Sequence, residues 1–101
     1  MDLTVGQLKA KLEAGDSLVL IDVREPYEHE AFHIGGQLIP LGQLAENIPA
    51  LSAHQTDHIV LYCRSGSRSG MAAHLLRAAG FSHVSNLVGG MLAWEDQYGT
   101  R

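Results

Sequence analysis

Two four-residue runs, Leu18-Val19-Leu20-Ile21 and Ile59-Val60-Leu61-Tyr62, are apolar at every position rather than at every second one. A strand with an alternating pattern can leave one face in water. An unbroken one has to be covered on both faces, which favours a parallel sheet lying between layers of helix. The segments around the two runs supply those layers. Val5, Leu8 and Leu12 recur at helical spacing behind a Thr4 N-cap and stop at Gly15-Asp16. Met71, Ala72, Leu75, Leu76 and Ala79 form an apolar stripe on a helix over residues 69–79, with Gly80 as its stop. Leu38-Ile39-Pro40-Leu41 carries an internal proline, which suits an edge strand or a loop against the sheet. Leu44, Ile48 and Leu51 suggest a short irregular helix interrupted near Pro49, and residues 52–57 form a polar connection. Residues 81–87 read as a further strand and residues 88–94 as a turn into a last helix. This alternation predicts a compact α/β domain with helices on both faces of a parallel sheet.

The second run leads straight into the only cysteine, Cys63, and then into Arg64-Ser65-Gly66-Ser67-Arg68-Ser69 at the start of the helix. Glycine and small serines let successive backbone N–H groups turn inward, and a helix start adds unpaired donors and the positive end of its dipole. Such surroundings bring a thiol from its usual ~8.5 to roughly 3.5–7.5, which makes it a nucleophile at neutral pH. Cys63 is therefore the candidate catalytic residue, with residues 64 to 69 as the anion cradle. Asp22 and Arg24 end the first strand and are expected at the same carboxyl edge of the sheet, where ligands of open α/β sheets collect. Their plainer reading is local: Asp22 caps the following turn and Arg24 pairs with a carboxylate such as Glu28.

The Cys63 to Ser69 loop resembles the active-site loop of single-domain rhodaneses, sulfurtransferases that carry a sulfur atom as a cysteine persulfide. Cys-based phosphatases and arsenate reductases use similar cradles, but their cysteine and anion-binding arginine have five residues between them, against four from Cys63 to Arg68 here. Asp22-Val23-Arg24-Glu25-Pro26-Tyr27-Glu28 with His33-Ile34-Gly35-Gly36 resembles the same family's N-terminal signature, an Asp-x-Arg pair, a short helix and a His-Ile-x-Gly turn. Pro26 suits the first turn of that helix. Phe32 and His29 depart from it, where glycine and an aromatic residue are usual. Leu87 to Trp94 resembles its C-terminal signature, with the paired glycines letting backbone approach the loop and Trp94 in the core. The resemblance implies a rhodanese-like three-layer domain with about five parallel strands. It implies attack of a Cys63 thiolate on a small anionic sulfur donor such as thiosulfate, and transfer of the sulfur to cyanide or to a thiol, either a small molecule or a thioredoxin-like protein. Arg64 would hold the donor, while Arg68 either adds to the same field or anchors the loop through a carboxylate. A persulfide-delivery or binding module is an alternative from another class, and a Cys-based arsenate reductase or phosphatase one within enzymes.

His29-Glu30-Ala31-Phe32-His33 matches the H-E-x-x-H zinc pattern, but Gly35-Gly36 ends any helix almost at once and no third ligand is evident. No metal and no cofactor are expected; His33 reads as a turn-stabilising side chain, and His29, His54 and His58 as facing solvent. At 101 residues the chain is expected to be one domain, and 46% apolar with 18% charged residues excludes a disordered class. A formal charge of −4 offers nucleic acid no general attraction. No apolar run is long enough to cross a membrane. A single cysteine and an N-terminus without signal-peptide character make a cytoplasmic location the expectation.

Overall fold

The computed structural model describes residues 2–100. Four strands, β1 (Val19–Asp22), β2 (Gln37–Leu38), β3 (Ile59–Tyr62) and β4 (Val84–Asn86), form one parallel sheet in the order β2-β1-β3-β4. Five α-helices accompany them: α1 (Val5–Glu13), α2 (Pro26–Ala31), α3 (Leu41–Asn47), α4 (Ser67–Ala78) and α5 (Gly90–Tyr98). A 3-10 helix, Pro49–His54, follows α3 after the break expected near Pro49.

The unbroken apolar runs become the two central strands, and their side chains divide between two cores. Ile21, Ile59 and Leu61 pack with Leu44, Ala72, Ala73 and Leu76 under α3 and α4. Leu20, Val60 and Tyr62 pack with Val5, Leu8, Met91 and Trp94 under α1 and α5. All four residues of β3 are buried, as a strand covered on both faces requires. Pro40 falls just beyond β2, between Ile39 N–H on the Asp22 carbonyl (2.8 Å) and Leu41 N–H on the Val23 carbonyl (3.0 Å), so its missing donor costs the edge nothing.

Three expectations change. The sheet has four strands rather than about five. Leu3 makes only an isolated parallel bridge with Leu87, because the next residue, Thr4, already caps α1 with its hydroxyl on Gln7 N–H (3.1 Å). On α4 the buried stripe is Ser69, Ala72, Ala73 and Leu76, while Met71 and Leu75 face outward. Small residues let the helix lie close to the sheet, and that closeness outweighs the bulk of the larger side chains. His58 is half-buried rather than solvent-facing; its Nε2 meets Ser85 Oγ at 2.9 Å and its ring stacks on His83 at 3.8 Å.

Candidate active site

Asp22, Tyr62 and Asn86 end β1, β3 and β4 along one edge of the sheet, and Cys63 follows Tyr62 directly. Two neighbours shape the loop beyond it. Met91 N–H donates to the Cys63 carbonyl and Leu92 N–H to the Arg64 carbonyl, both at 2.9 Å, from the first turn of α5. Because a peptide unit is planar, a carbonyl held towards α5 turns the N–H of the next residue the other way. Gly90 makes this approach feasible: a Cβ there would lie 2.4 Å from the Cys63 carbonyl oxygen. From β4, Asn86 Nδ2 donates to the Gly66 carbonyl at 3.1 Å, and Gly66 itself adopts the left-handed φ of +100° that swings the chain into α4.

The sulfur collects the donors this arrangement frees. Gly66 N–H lies 3.1 Å from Cys63 Sγ, Ser69 N–H 3.4 Å and Ser69 Oγ 3.3 Å. Burial pushes the thiol's pKa up, but the Ser69 hydroxyl and the Ser69, Gly66 and Ser65 amides together bring it below the ordinary cysteine value. Cys63 thus lies in the apolar core with no exposed surface, yet inside a ring of inward-facing amides.

The charged residues separate by role. Arg68 forms a two-pronged ion pair with Glu28 of α2, Nη1 to Oε1 at 2.7 Å and Nη2 to Oε2 at 2.9 Å. Hydrogen bonding to Arg68 is the main reason that the Glu28 carboxyl falls to about 2. Arg24 pairs with Asp22, not with Glu28: its Nε reaches Oδ1 at 2.9 Å and its Nη2 reaches Oδ2 at 2.8 Å and the Phe32 carbonyl at 2.7 Å. Asp22 also accepts the Arg24 backbone N–H at 3.0 Å, the local cap expected of it. Burial would raise its pKa, but these bonds hold it below the usual carboxylate value. Arg64 is exposed and, among the described residues, is the one lysine or arginine without a carboxylate partner. With Arg24, Tyr27, Glu28, Leu92 and Glu95 it lines a cleft of about 260 Å³.

The family model of the rhodanese-like domain matches residues 4–97. The chain belongs to the rhodanese-like family. It is 40% identical to the probable adenylyltransferase/sulfurtransferase MoeZ of Mycobacterium tuberculosis over 94% of its own length and 24% of MoeZ. It is 36% identical to the thiosulfate sulfurtransferase PspE of Escherichia coli over 68% of the chain and 67% of PspE. A rhodanese-like domain protein of Staphylococcus aureus superposes with a TM-score of 0.84 at 29% identity, covering 93% of this chain and 91% of that one. The chain therefore spans about a quarter of MoeZ.

Within this rhodanese-like domain the loop residues Cys63, Ser65, Gly66 and Ser69 come together as expected, whereas Ser67 contributes an exposed side chain at the start of α4. Asp22 and Arg24 sit at the same sheet edge as a buried pair, bonded to each other, to the Phe32 carbonyl and to His29. Asn86 and the Met91 and Leu92 amides were not evident from the sequence. His29, at one of the departures from the family pattern, is not a surface residue: its Nδ1 meets the buried Asp22 Oδ2 at 2.9 Å and its ring stacks on His33 at 3.8 Å. His33 is the turn-stabilising side chain, with Nδ1 accepting Gly35 N–H at 3.0 Å. That bond occupies the lone pair a metal would need. Among the described residues no group of three or more metal-binding side chains is assembled, and no helix is long and apolar enough to cross a membrane.

Proposed function

We propose that this chain is a sulfurtransferase that carries a sulfane sulfur on Cys63. The Cys63 thiolate attacks the outer sulfur of thiosulfate; the S–S bond of the donor breaks and sulfite leaves with the electron pair. The product is a cysteine persulfide. A thiol or cyanide then attacks the outer sulfur, forming a persulfide or thiocyanate and returning the thiolate. The observation that carries this reading is the set of three donors on Cys63 Sγ, which stabilises negative charge before any substrate arrives. The unpaired Arg64 beside it supplies attraction for a dianionic donor. Arg68 anchors α4 to Glu28, which argues against a phosphatase-like cradle in which that arginine would clamp the oxyanion.

The test is direct. Thiosulfate should add the mass of one sulfur atom to the Cys63 peptide, cyanide should remove it, and Cys63→Ser should show no adduct. An adduct that persists in Cys63→Ser ends the proposal. A second reading, delivery of the same persulfide to a docked protein, is favoured by the exposed Tyr27 and Leu92 beside Arg64 at the cleft. It requires a partner retained by the persulfide form and released by the reduced one.

A further inference from the structure

Ser69 has one hydroxyl proton and two acceptors within reach. Its Oγ lies 3.3 Å from Cys63 Sγ and 2.5 Å from Asn86 Oδ1. Both bonds cannot be made at once. The Asn86 amide cannot escape the competition by flipping, because its Nδ2 is already committed to the Gly66 carbonyl at 3.1 Å. It always presents its oxygen to Ser69.

We propose that Asn86 is a positioning residue for Cys63, acting through the Ser69 hydroxyl to set how strongly charge on the sulfur is stabilised. A neutral thiol is a weak acceptor, so with Cys63 protonated the hydroxyl belongs to Asn86. A thiolate or persulfide anion is a far stronger one, since hydrogen bonds to an ionised acceptor are roughly twice as strong as neutral ones. On ionisation the hydroxyl swings to Sγ and the Asn86 oxygen loses its donor. Asn86 therefore holds back part of the stabilisation that Ser69 can offer. That restraint has a chemical use, because a thiolate's intrinsic nucleophilicity falls as its pKa falls. Ionising the thiol breaks the bond from Ser69 to Asn86, so the net stabilisation of the thiolate is smaller than its full donor set alone would give.

This deepens the sulfurtransferase reading, but its test follows the ionisation of Cys63 rather than sulfur transfer, so each can fail without the other. The pH dependence of Cys63 alkylation by iodoacetamide is measured in the wild type, Asn86→Ala, Ser69→Ala and the double variant. Removing Asn86 leaves the hydroxyl only the sulfur to serve. Asn86→Ala should thus lower the apparent pKa by about half a unit more when Ser69 is present than when it is absent, which is about a threefold gain in thiolate fraction. Loosening of the loop through loss of the Gly66 tie occurs in both backgrounds and cancels. A coupling of zero, or of opposite sign, overturns the proposal. A measurement that does not depend on Asn86→Ala folding is the side-chain amide nitrogen resonance of Asn86. It should titrate with the Cys63 midpoint in the wild type and not in Ser69→Ala. No titration in the wild type, or an equal one in Ser69→Ala, would likewise overturn it.

Discussion

Burial alone would keep the Cys63 thiol protonated, and it is the number and aim of its hydrogen-bond donors that reverse this. Arginines near the sulfur do less than their count suggests. Arg68 is neutralised by Glu28 and Arg24 by Asp22, so the charge available to a ligand is that of Arg64. An ion contact made by a solvent-exposed guanidinium is worth roughly 0.2–1 kcal/mol. Arg64→Ala should therefore raise the KM for thiosulfate by up to about fivefold while leaving the Tm and the alkylation pH profile of Cys63 unchanged; an unchanged KM would remove Arg64 from donor binding. At this scale the cysteine and its cradle were legible because their signal is local: small residues, glycine and cations within six positions of one thiol. Asn86 was not. A single asparagine in a strand has no local signature, and its connection to residues 66 and 69 arises only when β4 is laid beside β3.

The loop is gripped by elements that share no sequence neighbourhood with it. Amides from α5 hold its first two carbonyls, β4 holds that of Gly66 through Asn86, and α4 closes its own first turn with Gly70 N–H on the same Gly66 carbonyl. Gly90 is where the grip is tightest, with a left-handed φ of +54° and no room for a Cβ against the carbonyls of Cys63 and Arg64. Gly90→Ala should cost about 3 kcal/mol, the upper end of the usual range for single substitutions. It should also raise the apparent pKa of Cys63, because pushing the carbonyls off α5 turns the amides off the sulfur. A variant with wild-type Tm and an unchanged alkylation profile would show that the glycine is dispensable. Elements with long or continuous patterns, such as α1 and the two central strands, could be read from sequence. The sheet lacks the fifth strand that the resemblance implied, since among the described residues Leu3 alone bridges Leu87 before Thr4 caps α1. On α4, Ala72 and Leu76 were read correctly, but Met71, Leu75 and Ala79 were misplaced on the buried face, because nearness to the sheet favours small side chains there over hydrophobic bulk.

Across the whole molecule, the ion pair between Glu28 and Arg68 joins positions 40 residues apart and fastens the helix after β1 to the helix after the active loop. The Glu28 carboxyl sits at about 2 against an ordinary 4.5, so the unfolded chain takes up its proton at higher pH than the folded one. Stability from this pair is therefore complete above pH 4.5 and drains away as the pH falls from 4.5 towards 2. The Arg68 side chain is 34% exposed, which screens the interaction and limits its worth to about 1 kcal/mol. For a chain of this size that corresponds to roughly 4–8 °C in Tm. Glu28→Gln should melt lower than the wild type by about that amount at pH 7, and the gap should narrow steadily below pH 4.5. Asp22, whose carboxyl is also depressed, titrates in both proteins and drops out of the difference. A gap that stays constant down to the lowest pH at which both remain folded would mean that Glu28 acts by packing, and that α2 and α4 are held together without charge.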